Sequence, residues 1–114
     1  MSDRELLELA ATAAGFNDAE WAAEKAAICT VQAGKGFRPF WNPLNDDGDA
    51  LRLAVKLKLK VYQAEFVAIV SLRMSQSYIS ENYEDNGDHY AATRRAIVRA
   101  AAEIGRQMQS TKGD

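Results

Sequence analysis

The apolar period of this chain changes at Leu57. Up to that point Leu51, Ala54, Val55 and Leu57 recur at helical spacing. Beyond it Leu57, Leu59 and Val61 alternate with Lys58, Lys60 and Tyr62, which is the two-residue repeat of a strand. The chain therefore mixes helix and strand, and the other segments can be placed around this switch. On the predicted central helix, Leu51, Ala54, Val55 and Leu57 form the buried face, and Arg52 and Lys56, with Lys60 if the helix extends that far, line the opposite side.

Ser2 and Glu5 have the spacing of a capping box, so a first helix spans about residues 3 to 14. Leu6, Leu9, Ala10 and Ala13 supply its stripe, and Gly15 can close it in the left-handed conformation with Phe16 folding back. Residues 17 to 33 are expected to hold a short helical or irregular segment through AEWAAEKAA. A strand at about 27 to 32 follows, because ICTVQ is rich in β-branched residues. AGKG (33 to 36) marks a turn. Phe37 to Trp41 can return as a short strand, which Pro39 confines to an edge.

Asn42-Pro43 opens a turn, since the residue before proline avoids the helical region. Asn45, Asp46 or Asp47 can cap the next helix, and Asp46, Asp47 and Asp49 are assigned to the cap and to the positive end of its dipole. Residues 65 to 72 place Phe66, Ala68, Val70 and Leu72 on one face and Val67 and Ile69 on the other, which predicts a central strand covered on both sides. Residues 77 to 84 predict a further strand, and the second half of 81 to 88 a mobile loop. The last helix, about 89 to 109, carries Ile97, Ala100, Ala101, Ile104 and Met108 as its stripe. The expected architecture is α+β. A small, mostly antiparallel sheet is packed with N-terminal, central and C-terminal helices in the order helix, strands, helix, strands, helix. A length of 114 residues fits one domain, 1–109, with 110–114 as a disordered tail.

Composition narrows the chemistry. A formal net charge of -2 argues against nonspecific nucleic-acid binding, which needs a positive field. The single cysteine, Cys29, has no partner for an intramolecular disulfide and reads as a small core hydrophobe, so a reducing compartment is expected. The N-terminus lacks the basic start of a signal peptide, and no uninterrupted apolar stretch is long enough to span a membrane, so a cytoplasmic location is expected.

Catalytic and metal motifs fail on spacing. His89 is the only histidine and stands sixty residues from Cys29, which does not make a zinc site, and it reads as a surface residue. AGKGFRP lacks the glycine-to-lysine spacing of a phosphate loop and its following Ser or Thr. Counted from Asn45, a calcium loop would need glycine where Ala50 stands and glutamate where Lys56 stands. No catalytic residue, metal or cofactor is expected.

Two features point to partners instead. Phe40 and Trp41 sit at the turn before the central helix. Such aromatics usually pack over a core, but an exposed pair would anchor an interface. Charge is also polarised: residues 1–24 carry one basic and six acidic side chains, whereas residues 88–114 carry five basic and three acidic. The arginines of the last helix form either a solvated face, with Glu103 pairing to Arg99 or Arg106, or a surface for an anionic partner. A homodimer, with one molecule's acidic helix against another's basic helix, is a further option. The candidate partner-binding residues are Arg38, Phe40, Trp41, Arg94, Arg95 and Arg99.

Three segments carry a family resemblance: SDRELLELAATAAG, WNPLNDDGDALRLAVKL and YAATRRAIVRAAAEIGRQM. Together they resemble small proteins of tailed phages and prophages of proteobacteria, of the NinX-like or phage ABA-sandwich type. The resemblance covers about half the chain, and segments 17–36 and 62–88 depart from it. It implies a compact α/β fold, no established activity, and no catalytic residues to transfer. The function it points to is a phage accessory protein that binds a host or phage protein, for example by inhibiting a host defence factor. The alternative is a protein that binds a nucleotide signal or nucleic acid through the arginines of the last helix.

Overall fold

A computed structural model describes residues 1–33, 40–72 and 77–112. The elements run α1 (Asp3–Ala14), β1 (Glu20–Ala22), β2 (Ala27–Cys29), β3 (Phe40–Trp41), α2 (Asp47–Leu57), β4 (Lys60–Gln63), β5 (Val67–Ser71), β6 (Tyr78–Asn82), α3 (Tyr83–Asn86) and α4 (His89–Lys112). The fold is α+β, as the change of period implies. Its strands form two antiparallel three-stranded sheets, β1-β2-β3 and β4-β5-β6, where one sheet was expected. The α1 helix packs on the first sheet and against α4, and α4 in turn packs on the second sheet, with α2 beside it. The two sheets thus close over a helical interior, and this division is a tertiary choice that a strand count does not reveal.

Local chemistry explains the element ends. The Ser2 hydroxyl oxygen accepts from the Glu5 N–H at 3.1 Å, which satisfies a first-turn donor of α1. Gly15 adopts φ +80° and returns its N–H to the Ala11 and Thr12 carbonyls, which ends the helix. The α4 helix starts where the Asp88 carboxylate accepts from the Ala91 N–H at 2.8 Å.

The segment AEWAAEKAA is not helical. Glu20–Ala22 pairs with β2 in the register Glu20↔Cys29, Trp21↔Ile28, Ala22↔Ala27, and a single 3-10 turn at Ala23–Lys25 joins the two strands. Strand pairing overrides the local helix preference of its alanines. The strand expected over 27 to 32 stops at Cys29 and gives way to a 3-10 turn at Val31–Ala33. Phe40–Trp41 does form an edge strand against β2, and the predicted turn at 34–36 and Phe37 to Pro39 lie outside the described residues.

The loop predicted near 85–88 is partly a short helix, α3, whose cap is Asn82; its side-chain oxygen accepts from the Glu84 N–H at 2.8 Å. The last helix continues to Lys112, past its expected end at 109 and into the expected tail.

Two buried faces differ from expectation. On α2 the buried residues are Asp49, Ala50, Leu53 and Ala54, whereas Leu51 is 64% exposed and Val55 67%. The helix is rotated because Asp49, not an apolar residue, is drawn inward by its hydrogen bonds. In β5 only Ala68, Val70 and then Leu72 are buried. Phe66 sits before the strand and is exposed, and Val67 and Ile69 are half-buried, so the outer face of the second sheet is not fully covered. Met108, assigned to the α4 stripe, is also exposed, because that end of the helix projects past the core.

Asp18 ties the 3-10 turn after β2 back to the chain. The buried Thr30 hydroxyl donates to Asp18 Oδ1, and the Val31 N–H donates to Oδ2 at 2.9 Å. These bonds, the Thr30 hydroxyl foremost, hold the Asp18 carboxyl below its ordinary value. A depressed folded value means that the carboxylate's contribution is complete above about pH 4 and is lost as pH falls through the folded value. Thr30→Val should therefore raise the Asp18 midpoint in an NMR titration and flatten the stability loss on acidification below about pH 4. An unchanged midpoint would show that the hydroxyl does not hold the carboxylate.

Candidate functional site

The Trp41–Leu57 stretch is a clasp built from its own polar side chains. Asp46 is the N-cap of α2 and accepts from the Asp49 N–H at 2.8 Å. Asp49 is wholly buried and accepts from the Asn42 N–H and from Arg52 Nη2, each at 2.9 Å. The Asn42 side chain accepts from the Leu44 N–H at 3.0 Å and donates to the Ala26 carbonyl at 2.9 Å. The acids thus serve the turn, as capping and dipole reasoning expects, but with divided tasks. Asp46 caps, Asp49 locks the Asn-Pro turn, and Asp47 reaches Arg94 Nη1 at 2.7 Å.

The proposed partner-binding set does not come together. Trp41 is 3% exposed and packs edge-on against Phe16 with ring centroids 5.2 Å apart, so it belongs to the core. Phe40 is half-buried, with the Lys25 ammonium 5.7 Å from its ring centroid. Arg38 lies outside the described residues.

Arg94 donates through Nε to the Leu44 carbonyl at 2.8 Å as well as to Asp47, which fastens α4 to the clasp. Arg95 pairs with Asp3 at 3.3 Å, Arg99 with Glu81 at 2.5 Å, and Arg106 with Glu103. The Arg106 guanidinium holds the Glu103 carboxyl below its ordinary value. The charge polarity that suggested self-association between acidic and basic helices is answered in part within one molecule, because α1 packs on α4 and supplies Asp3.

What the structure does assemble is a groove of about 610 Å³ between α2, β4 and the start of α4. Its floor is apolar, formed by Ala50, Ala54, Val61 and Ile97, with Leu51 and Tyr90 at its side. Polar groups converge on the rim: Asp47 with Arg94, and Gln63, whose amide donates to the Thr93 hydroxyl at 2.7 Å. The Tyr83 hydroxyl fixes the far side of Gln63, donating to Oε1 at 3.1 Å. A concave lining that is mostly apolar, with a few polar groups at its rim, makes this groove the candidate site. Of its lining, Leu51, Val61 and Tyr90 are exposed large apolar side chains.

Sequence reasoning missed this groove because it assigned Leu51 and Val55 to the core. The available signal was an excess of apolar positions on α2, too many for one face once Leu53 is also buried.

A second cleft of about 450 Å³ gathers Arg95, Arg99 and Arg106 with Glu81 and Glu103. His89 is exposed and stacks on Tyr83 at 4.0 Å between centroids. Among the described residues no three His, Cys, Asp or Glu side chains are placed to hold a metal ion, and no helix is long and apolar enough to cross a membrane. No protein family, curated protein or solved structure matches the chain.

Proposed function

We propose that this protein is a phage or prophage accessory protein that acts in the host cytoplasm by binding another protein, and that the groove between α2, β4 and α4 is its docking surface. The biological setting rests on the resemblance of the three sequence segments; inhibition of a host factor such as a defence protein is its most concrete form. The observation that carries the docking site is the exposure of Leu51 and Tyr90, both of which line it. A folded chain gains nothing in its own core from two large apolar side chains held in water, whereas an interface does.

The test is affinity capture from host lysate with the native protein and with a Leu51→Ser, Tyr90→Ser variant. The native protein should retain a stoichiometric partner that the variant loses, while the variant's unfolding free energy stays within about 0.5 kcal/mol, as expected of surface positions. Equal capture by both proteins, or no partner from several hosts, would reject the reading.

The cleft of Arg95, Arg99 and Arg106 favours one other reading, the binding of an anionic nucleotide signal or nucleic acid. Each guanidinium there already has a carboxylate partner, so an anion must displace Asp3, Glu81 or Glu103. Calorimetry with nucleotides and short oligonucleotides at two salt concentrations decides it, since binding absent at low salt removes the idea.

A further inference from the structure

The two edges of the second sheet are not equivalent, and the difference identifies the form of the groove's ligand. In an antiparallel ladder, residues directly opposite each other alternate between bonded and non-bonded pairs. The Ala64 N–H donates to the Val67 carbonyl, and the Leu72 N–H to the Ser77 carbonyl. Stepping inward from both ends along the β4–β5 and β5–β6 registers gives one consistent result. Lys60 and Tyr62 turn their backbone groups toward β5, while Val61 and Gln63 turn theirs outward.

On the opposite edge, the outward-facing residues of β6 are Tyr78, Ser80 and Asn82. Two of their carbonyls are satisfied internally: Ser80 accepts from Arg99 Nη1 at 3.3 Å, and Asn82 from the Asn86 amide at 2.8 Å. The β6 edge is thereby blunted, which is how folded proteins restrain an open strand. On β4, no side chain among the described residues covers Val61 or Gln63 in the same way.

The open edge borders the groove. Val61 and Gln63, whose backbone faces outward, also place their side chains in the groove lining. The groove measures about 610 Å³. On the other side of β4, Lys60 and Tyr62 face away from α4, and Lys58 ends α2. Neither Lys58 nor Lys60 forms an ion pair among the described residues.

We infer that β4 receives an extended segment of a partner protein as a fourth strand, with apolar side chains at alternate positions in the groove and carboxylates on the opposite face against Lys58 and Lys60. Main-chain bonds to Val61 and Gln63 supply affinity, and alternation supplies specificity. The two lysines oppose self-pairing of this edge and select an acidic strand. This inference rests on the reading of the groove as a protein-docking site, and adds the conformation and charge of what docks.

The test uses a blocked eight-residue peptide alternating valine with glutamate, a lysine-for-glutamate counterpart, and amide hydrogen exchange. In the free protein the Tyr62 amide should be protected, and those of Val61 and Gln63 should exchange fast. The glutamate peptide should slow Val61 and Gln63 at least tenfold, and the lysine peptide should not. Val61→Pro removes an N–H that the β5 ladder does not use, so it should abolish binding with the sheet intact. Lys58→Glu with Lys60→Glu leaves the backbone unaltered and should weaken the glutamate peptide roughly tenfold while admitting the lysine peptide.

Peptide contact at Leu51 and Tyr90 without protection of Val61 and Gln63 would overturn strand addition and leave the docking groove standing. Protection that rises with protein concentration and without peptide would assign the edge to a second copy. No binding of either peptide would overturn the proposed chemistry, whereas the docking site itself is judged by capture with the Leu51→Ser, Tyr90→Ser variant.

Discussion

Gly105→Ala should destabilise the protein by about 2–3 kcal/mol, the cost typical of overpacking, and lower its thermal midpoint by roughly 10 °C. The direction is the informative part. In an ordinary helix interior, alanine is favoured over glycine by about 1 kcal/mol. Here a Cβ on Gly105 would lie 2.0 Å from the Leu9 carbonyl oxygen and 2.8 Å from its carbon, so the backbones of α1 and α4 would have to separate. That crossing is lined by small buried residues, Ala10 on α1 and Ala101 and Ala102 on α4. Gly48→Ala is the control. Its Cβ would meet only the movable end of Arg52 at 3.1 Å and the Asp46 carboxylate at 3.3 Å, so a change under about 1 kcal/mol is expected. Denaturation curves for the two variants measure the contrast, and a Gly105→Ala protein as stable as the native one would mean that α1 and α4 do not touch there.

Trp41→Ala should cost more, about 3–5 kcal/mol, through lost burial and the cavity left behind. The ring fills the space between Phe16 and the first sheet, where Trp41 is paired with Ile28. Trp41→Phe, which keeps an aromatic plane against Phe16, should recover much of that loss. Were Trp41 instead a surface anchor for a partner, truncation would leave stability within about 0.5 kcal/mol and act on binding alone. Urea denaturation of the three proteins separates these outcomes. A large loss of stability with Trp41→Ala would assign Trp41 to the core and not to a partner surface.

The legible parts of the fold were those in which a few neighbouring residues settle the matter. Ser2 with Glu5, Gly15, Asp46 and Asp88 each set a helix end through bonds to residues within four positions. The alternation around Ala68 and Val70 showed a strand with a buried face. Reading failed where partners distant in the chain decide. Glu20–Ala22 is a strand only because β2 lies beside it. The α2 helix is turned because Asp49 accepts from Asn42 and Arg52, and nothing in a hydrophobic period anticipates a buried carboxylate.

The arginines of α4 illustrate the same limit at the candidate site. Their spacing showed a basic helix, but not that Arg94 would reach Leu44 and Asp47, or that Arg99 would reach Ser80 and Glu81. Those contacts join residues 18 to 50 positions apart. They turn a suspected partner surface largely into internal fastening.

Sequence by itself determined the starts of α1, α2 and α4, the end of α1, the change from helical to strand period near Leu57, the mixed α+β class and the capping role of Asp46. These are short-range consequences of capping, turn chemistry and side-chain period. Only the tertiary structure decided that the strands divide into two sheets, that Trp41 is core while Leu51 and Val55 are surface, and that β4 keeps an open edge beside an apolar groove. Those outcomes depend on which buried groups find hydrogen-bond partners and which backbones can approach closely, and the groups that decide them meet only when the whole chain is folded.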